Sequence, residues 1–168
     1  MRKTLLLFSL VLLFSGISKA QIAQLQALYI YNFAKNIGWP VEDSNKDFVI
    51  TVIGDNQLAT ELNKLAATKS VGSRKVVVKE LTTANGLQKS DIVYLGESKS
   101  NQMTNLITAH NDNKYLIVSG KKGHCAQGAG ISFLSEGGKL KYEISNRNIS
   151  KRGLQVSQKM LSLGIAVD

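Results

Sequence analysis

Residues 48–56 read Phe-Val-Ile-Thr-Val-Ile-Gly-Asp-Asn. The first six form a near-continuous apolar run without the alternation of a half-exposed strand, and Gly54-Asp55-Asn56 ends it with turn-forming residues. Such a run predicts a strand buried on both faces, which requires helices on either side of a parallel sheet. Leu58, Leu62 and Leu65 give the following stretch a helical apolar stripe, and Val76-Val77-Val78 supplies a second strand after the Gly72-Ser73 turn. Asp91 to Leu95, a helix near Asn101 to His110 with Met103, Leu106 and Ile107 inward, and Tyr115 to Val118 continue the alternation. The order predicts an α/β fold with a mostly parallel sheet flanked by helices.

The pattern changes after Gly120. Gly123, Gly128 and Gly130 mark a loop, and Ile131 to Leu134 and Lys139 to Ile144 flank Ser135-Glu136-Gly137-Gly138 as a hairpin. Leu140, Tyr142 and Ile144 alternate with Lys139, Lys141 and Glu143, predicting one buried and one wet face. A closing helix is expected from Asn146, with Ile149, Val156, Met160, Leu161 and Leu163 inward and Gly153 as a point of close packing or a break. Upstream, residues 28–40 read LYIYNFAKNIGWP and hold the only Trp and the only Pro of the chain. Ile22, Leu25, Tyr29, Phe33 and Ile37 recur at helical spacing, with Gln24, Lys35 and Asn36 toward water. Pro40 should end that helix and turn Trp39 out to plug its side. The expectation is a single compact domain with a C-terminal β-hairpin and closing helix.

The first 20 residues read differently. Arg2 and Lys3, an apolar run from Leu5 to Phe14 continued by Gly16 and Ile17, and the small residues of Ser18-Lys19-Ala20 have the form of a secretory signal peptide, cleaved after Ala20. That leaves 21–168 as one exported domain. The run is too short for a membrane anchor, and no lipobox cysteine is present. The net charge of +9 falls by three when Arg2, Lys3 and Lys19 leave, and the remaining basic residues are scattered. Short clusters at Arg74-Lys75, Lys121-Lys122 and Lys151-Arg152 lack interleaved aromatics, which argues against nucleic acid and leaves an acidic protein or an anionic surface as basic-face partners.

Catalytic and cofactor motifs are weak. Cys125 is the only cysteine, so no intramolecular disulfide forms, and with His110 and His124 as the only histidines a strong metal-ligand set is hard to assemble. Cys125 reads as a buried thiol or as one half of an intermolecular bridge. Gly54 lacks a glycine-rich continuation and the 120–130 loop lacks a phosphate cradle, so no cofactor is expected. Ser119-Gly120-Lys121-Lys122 spells S-x-x-K without the companion motifs of a serine acyltransferase. Glu42-Asp43 reads as a solvated turn rather than an acid/base pair.

Four motifs in order carry a resemblance. They are A-x-Y-I-Y-N-F-A-K-x-x-x-W-P at Ala27 to Pro40, F-x-I-x-V-I-G-D at Phe48 to Asp55, G-x-G-I-S-F-x-x-x-x-G-K-L at Gly128 to Leu140, and I-S-N-x-x-x-x-x-x-G-L-x-V-S-x-x-M-L-x-L at Ile144 to Leu163. The chain resembles the YfiR-like family of exported bacterial proteins along essentially its whole mature length. The resemblance implies an α/β domain without a catalytic centre. It also implies a periplasmic repressor that binds the sensor region of an inner-membrane diguanylate cyclase, and so acts in cyclic di-GMP signalling, and is withdrawn by an outer-membrane lipoprotein. The motif residues are Tyr31, Asn32, Phe33, Trp39, Pro40, Gly54, Asn146, Gly153, Leu154 and Ser157, with structural roles expected for most and an N-cap for Asn146. The best-known members carry two disulfide-forming cysteine pairs; this chain has only Cys125, so redox control of that kind is not expected here.

Three function classes follow. A regulator working by protein contact, on a diguanylate cyclase or a sensor histidine kinase, needs an exposed apolar patch. A small-ligand binder would use the crevice at the carboxyl ends of the strands, near Gly54-Asp55, Gly96-Glu97 and Ser119-Gly120. An enzyme would need a polar cluster that the motifs do not advertise. A homodimer would form at an uncovered sheet or hairpin edge.

Overall fold

The computed structural model describes residues 18–40, 46–109 and 114–167. The residues ahead of Ser18, Glu42-Asp43 and His110, read above as signal-peptide, turn and helix-end residues, lie outside that set. The first helix, α1 (Lys19–Asn36), starts with a reciprocal cap: the Gln21 amide donates to Ser18 Oγ at 3.2 Å and the Ser18 amide to Gln21 Oε1 at 2.9 Å. Its buried face is Ala23, Gln26, Ala27, Ile30, Phe33 and Ala34. The expected stripe is therefore rotated. Ile22 and Tyr29 are only half-buried and Leu25 is 40% exposed, because the alanines let the helix lie close to its neighbours. The helix also stops before Pro40: the Ile37 amide donates to Phe33 O, and the chain then enters the short strand β1 (Ile37–Gly38).

The apolar run Phe48–Ile53 is β2, buried along nearly all of its length. Asp55 caps α2 (Asn56–Ala66) by accepting from the Leu58 amide at 3.0 Å, with Leu58 and Leu62 inward. A hairpin of β3 (Ser70–Val71) and β4 (Arg74–Leu81) follows, then β5 (Ile92–Leu95), α3 (Met103–Ala109) and β6 (Leu116–Ser119). β7 (Ile131–Glu136) and β8 (Lys139–Ile144) form the expected hairpin around Gly137-Gly138, both at positive φ.

The wet face of β8 ends early. Glu143 is buried, and its carboxylate accepts from the Gly123 amide at 2.7 Å where the preceding loop covers the sheet.

The closing helix is two helices. α4 (Asn146–Lys151) ends where Gly153, at φ 70°, takes the left-handed position of a Schellman cap: its amide donates to Ser150 O at 2.9 Å and the Leu154 amide to Ile149 O at 3.4 Å. The chain then runs through β9 (Gln155–Val156), α5 (Gln158–Leu163) and β10 (Ile165–Ala166). Leu163, expected inward, is 69% exposed, since the break at Gly153 changes the helical register.

Among the described residues the main sheet has the order β10-β8-β7-β6-β5-β2-β4-β3, and β4, β2, β5, β6 and β7 are mutually parallel. This is the doubly wound order in which the first parallel strand sits between the second and third, so the topological switch point lies between β2 and β5. Ile50, Val52, Ile92, Tyr94, Leu116 and Val118 face α1, α2 and the C-terminal helices, and Ile53, Val93, Leu95 and Ile117 face α3. The strands read as continuous apolar runs because both faces are covered.

Candidate functional site

The first and last motifs meet in space. β1 pairs antiparallel with β9, Ile37 opposite Val156 and Gly38 opposite Gln155, and the Ser157 amide donates to Asn36 O at 3.2 Å. Asn32, Phe33, Trp39, Leu154 and Ser157 therefore belong to one junction between the chain's two ends. Most of them build it. Phe33 stacks on Phe133 at 5.9 Å and meets Tyr142 edge-on at 5.0 Å. Leu154 is buried, Ser157 caps α5 by accepting from the Met160 amide at 3.4 Å, and Gly153 closes α4. Trp39 does turn out of the helix: its indole N–H donates to Ala34 O at 2.7 Å and its ring meets Phe48 edge-on at 5.0 Å. Tyr31 donates its hydroxyl to Ser70 O at 2.8 Å, with the Lys35 and Lys69 ammoniums 5.7 and 5.9 Å from its ring. Asn146 is not the N-cap; Ser145 is, accepting from the Asn148 amide at 3.2 Å.

Two hollows flank the junction. One, of about 390 Å³, opens beside Trp39 and Pro40 and is closed below by Arg74. Arg74 is held there by Lys46 O, Asp47 O and the Asp91 carboxylate at 2.7 to 2.8 Å, with Phe48 under its guanidinium. The other, of about 250 Å³, is a groove between α1 and α5 lined by Tyr29, Asn32, Phe33, Tyr142, Lys159 and Leu163. Leu25 and Leu28 on the outer face of α1, Leu163 on the groove and Ile165 on the edge strand β10 are the exposed large hydrophobic residues among the described ones, at 40 to 69% exposure. Helical periodicity places Leu25 and Leu163 in the core and does not single out Leu28 or Ile165.

Gly54 lies apart, at the switch point. The crevice there is occupied by the protein itself: Lys99 lies against Gly54, a Cβ on Gly96 would stand 2.8 Å from Gly54 O, and one on Gly120 would stand 2.5 Å from the Tyr94 hydroxyl. Tyr94 points its hydroxyl at the Asp55 carboxylate across 3.5 Å, and burial first, then the Asp55 charge, pushes its pKa well above the usual range. Next to it a buried polar network joins Ser119 Oγ to His124 Nδ1 at 2.7 Å, and Ser132 Oγ donates to Cys125 Sγ at 3.3 Å. Ser119, His124 and Cys125 are all buried, so the S-x-x-K serine and the thiol face the interior. Burial, and secondarily Lys121, lowers the His124 pKa against an opposing pull from Glu143. No three His, Cys, Asp or Glu side chains among the described residues come together as a metal-ligand group.

A family model described as YfiR/HmsC-like matches residues 23–165. Among solved structures, a conserved domain protein from Vibrio cholerae O1 biovar El Tor strain N16961 superposes with a TM-score of 0.59 at 15% identity, over 87% of this chain. The match covers 60% of that protein's length and shows a shared fold. No curated protein matches the chain.

Proposed function

The chain belongs to the YfiR/HmsC-like family, and from that membership we propose that it is a non-catalytic periplasmic regulator that binds the sensor region of an inner-membrane signalling receptor and holds the receptor inactive. The receptor of choice is a diguanylate cyclase, so that the output is cyclic di-GMP made on the far side of the membrane. Residues 1–20 act as a leader removed on export. Removal after Ala20 takes the Ser18 cap away but spares the buried face of α1, which begins at Ala23. No described helix is long and apolar enough to cross a membrane.

The observation that carries this reading is a set of exposed large aliphatic side chains, Leu163 on the α1–α5 groove with Lys159 on its wall, and Leu25 and Leu28 on the outer face of α1. Large aliphatic side chains beside a partly filled groove suit the anchor-and-pocket core of a protein interface, and a basic rim suits an acidic sensor surface. A repressor that binds only the inactive receptor needs about 5.5 kcal/mol of differential affinity to swing it from nearly all active to nearly all inactive. Sequestration by an outer-membrane lipoprotein would reverse the bias. With Cys125 buried, redox control through surface disulfides is not part of this scheme.

Affinity capture of residues 21–168 on solubilised envelopes tests the reading. Retention of a membrane diguanylate cyclase, lost when Leu25, Leu28 and Leu163 are changed to Ser, supports it. Retention of a sensor histidine kinase instead would keep the surface and change the output, and retention of no membrane receptor would overturn the reading.

A further inference from the structure

The outer face of α1 carries a repeat that the burial pattern isolates. Ala23, Gln26, Ala27, Ile30, Phe33 and Ala34 face the core. On the opposite face Gln21, Leu25, Leu28, Asn32 and Lys35 are all exposed, Leu25 at 40% and Leu28 at 41%, and they follow one another at steps of four, three, four and three residues. That is the spacing of the a and d positions along a seam between two helices, whereas a strand partner would ask for a period of two. The seam holds leucine in its middle and an amide on either side. Asn32 falls at an a position, where a polar residue fixes the register of such pairs. Neither end of the main sheet offers a comparable surface: its outer strands β10 and β3 are two residues long, and shortness blunts an edge.

We propose that this seam pairs with the same seam of a second copy of the chain, as an antiparallel two-helix contact about a two-fold axis level with the peptide bond between Gln26 and Ala27. Positions that face each other then lie equally far from the axis on opposite sides, which sets Leu25 against the partner's Leu28 and Gln21 against the partner's Asn32, each twice by symmetry. Apolar meets apolar and amide meets amide. Cleavage after Ala20 removes Ser18, whose amide otherwise donates to Gln21 Oε1 at 2.9 Å, and so frees the Gln21 side chain for Asn32 across the seam. Lys35 falls opposite the removed residue 18 and reaches past the end of the partner helix. Other registers lose these matches. Moving the axis by half a heptad toward the C-terminus sets Leu25 against Lys35 and Leu28 against Asn32, and moving it the other way sets Leu25 against Gln21. A parallel pair would align the two helix dipoles and bring the two Lys35 ammoniums together, both unfavourable. Two leucines from each copy make a small core, so the pair is reversible and depends on concentration. The inference goes beyond the receptor reading while sharing Leu25 and Leu28 with it: receptor and second copy compete for one surface, and the pair is a resting form in which those leucines are covered.

Sedimentation equilibrium of residues 21–168, at concentrations up to about 1 mM so that weak pairs are populated, tests the proposal. Expected is a monomer–dimer equilibrium whose dissociation constant rises about tenfold or more in Leu25→Gln/Leu28→Gln. Gln21→Leu/Asn32→Leu extends the apolar core to every layer of the seam and should tighten the pair by about the same factor, a gain that loss of folding cannot imitate. Circular dichroism checks that both variants fold. Register is read separately by oxidising Leu25→Cys and Leu28→Cys proteins alone and mixed, with Cys125 buried and out of reach. In the antiparallel pair the mixture cross-links about threefold or more above either protein alone, because only unlike positions face each other closely enough. A protein that stays monomeric throughout, a dimer untouched by the leucine double variant, or equal cross-linking alone and mixed overturns the proposal. Its failure is distinct from failure of the receptor reading, since sedimentation contains no receptor and capture from envelopes is read at concentrations too low for the pair to form.

Discussion

Replacing Asp91 by Ala tests how the parallel sheet is locked at its entry end. One carboxylate oxygen of Asp91 accepts from the Val49 amide and from the Arg74 guanidinium, each at 2.8 Å, and the two side chains are only 11% and 9% exposed. The backbone of Asp91 meanwhile bonds β2 through Val49 O and β6 through the Leu116 amide. Deleting the carboxylate leaves a part-buried guanidinium without its counter-charge, which costs about 3 to 5 kcal/mol in comparable sites, with the orphaned Val49 amide included in that figure. Lys46 O and Asp47 O still accept from Arg74, so the lower end, about 3 kcal/mol, is expected. For a domain of this size that lowers the melting midpoint by about 6 to 12 °C. Urea unfolding followed by circular dichroism measures the loss, and a cycle with Arg74→Ala isolates the coupling between the partners. A loss for Asp91→Ala below about 1 kcal/mol would match an exposed ion pair and refute the reasoning.

Other outcomes follow from the same structure. Changing Leu25, Leu28 and Leu163 to Ser should cost about 3 kcal/mol in urea melts, from about 2 kcal/mol per fully buried leucine scaled by its buried fraction, and weaken receptor capture about 100-fold, from the same figure scaled by its exposure. Gly153→Ala should destabilise by about 1 to 2 kcal/mol in urea melts, through its positive φ rather than a clash, because the nearest atoms to a Cβ there lie at 3.9 Å; Gly153→Asn should cost less. His124 has a folded pKa below its ordinary 6.5 because it is buried. The unfolded chain therefore binds the extra proton first, so this contribution is full above about pH 6.5 and declines as pH falls from there toward the folded pKa. Urea midpoints between pH 7.5 and 5 should fall more steeply for the unaltered protein than for His124→Asn, and parallel profiles would show that another group governs the slope.

Much of this fold is legible in the chain because the strands Phe48–Ile53, Ile92–Leu95 and Leu116–Ser119 are buried on both faces and carry almost only apolar residues. The α1 stripe misled for a definite reason. Ala23, Ala27 and Ala34 face the core with little apolar surface of their own, so Leu25 outweighs them in any periodicity count although it faces outward, while Tyr29 sits half-buried at the rim of the packed face. The end of α1 shows the same dependence on context. Nothing local in Ile37-Gly38 announces a strand; the pairing with Gln155-Val156 creates it. At Gly153 the break could be anticipated, since glycine is the residue that closes a helix in the left-handed position, but Leu163 could be placed on the outside only once that break had changed the register.

The pairing of β1 with β9 also bears on timing. The first helix seats its aromatic face on Phe133 and Tyr142, and its exit is fastened by residues 155–157. A growing or threading chain therefore exposes an unsatisfied N-terminal helix until nearly all of it has emerged, and long-range closure of this kind makes folding slow to begin. For the exported protein proposed here, that delay keeps the polypeptide loose enough to pass through a narrow channel and confines completion of its core to the far side.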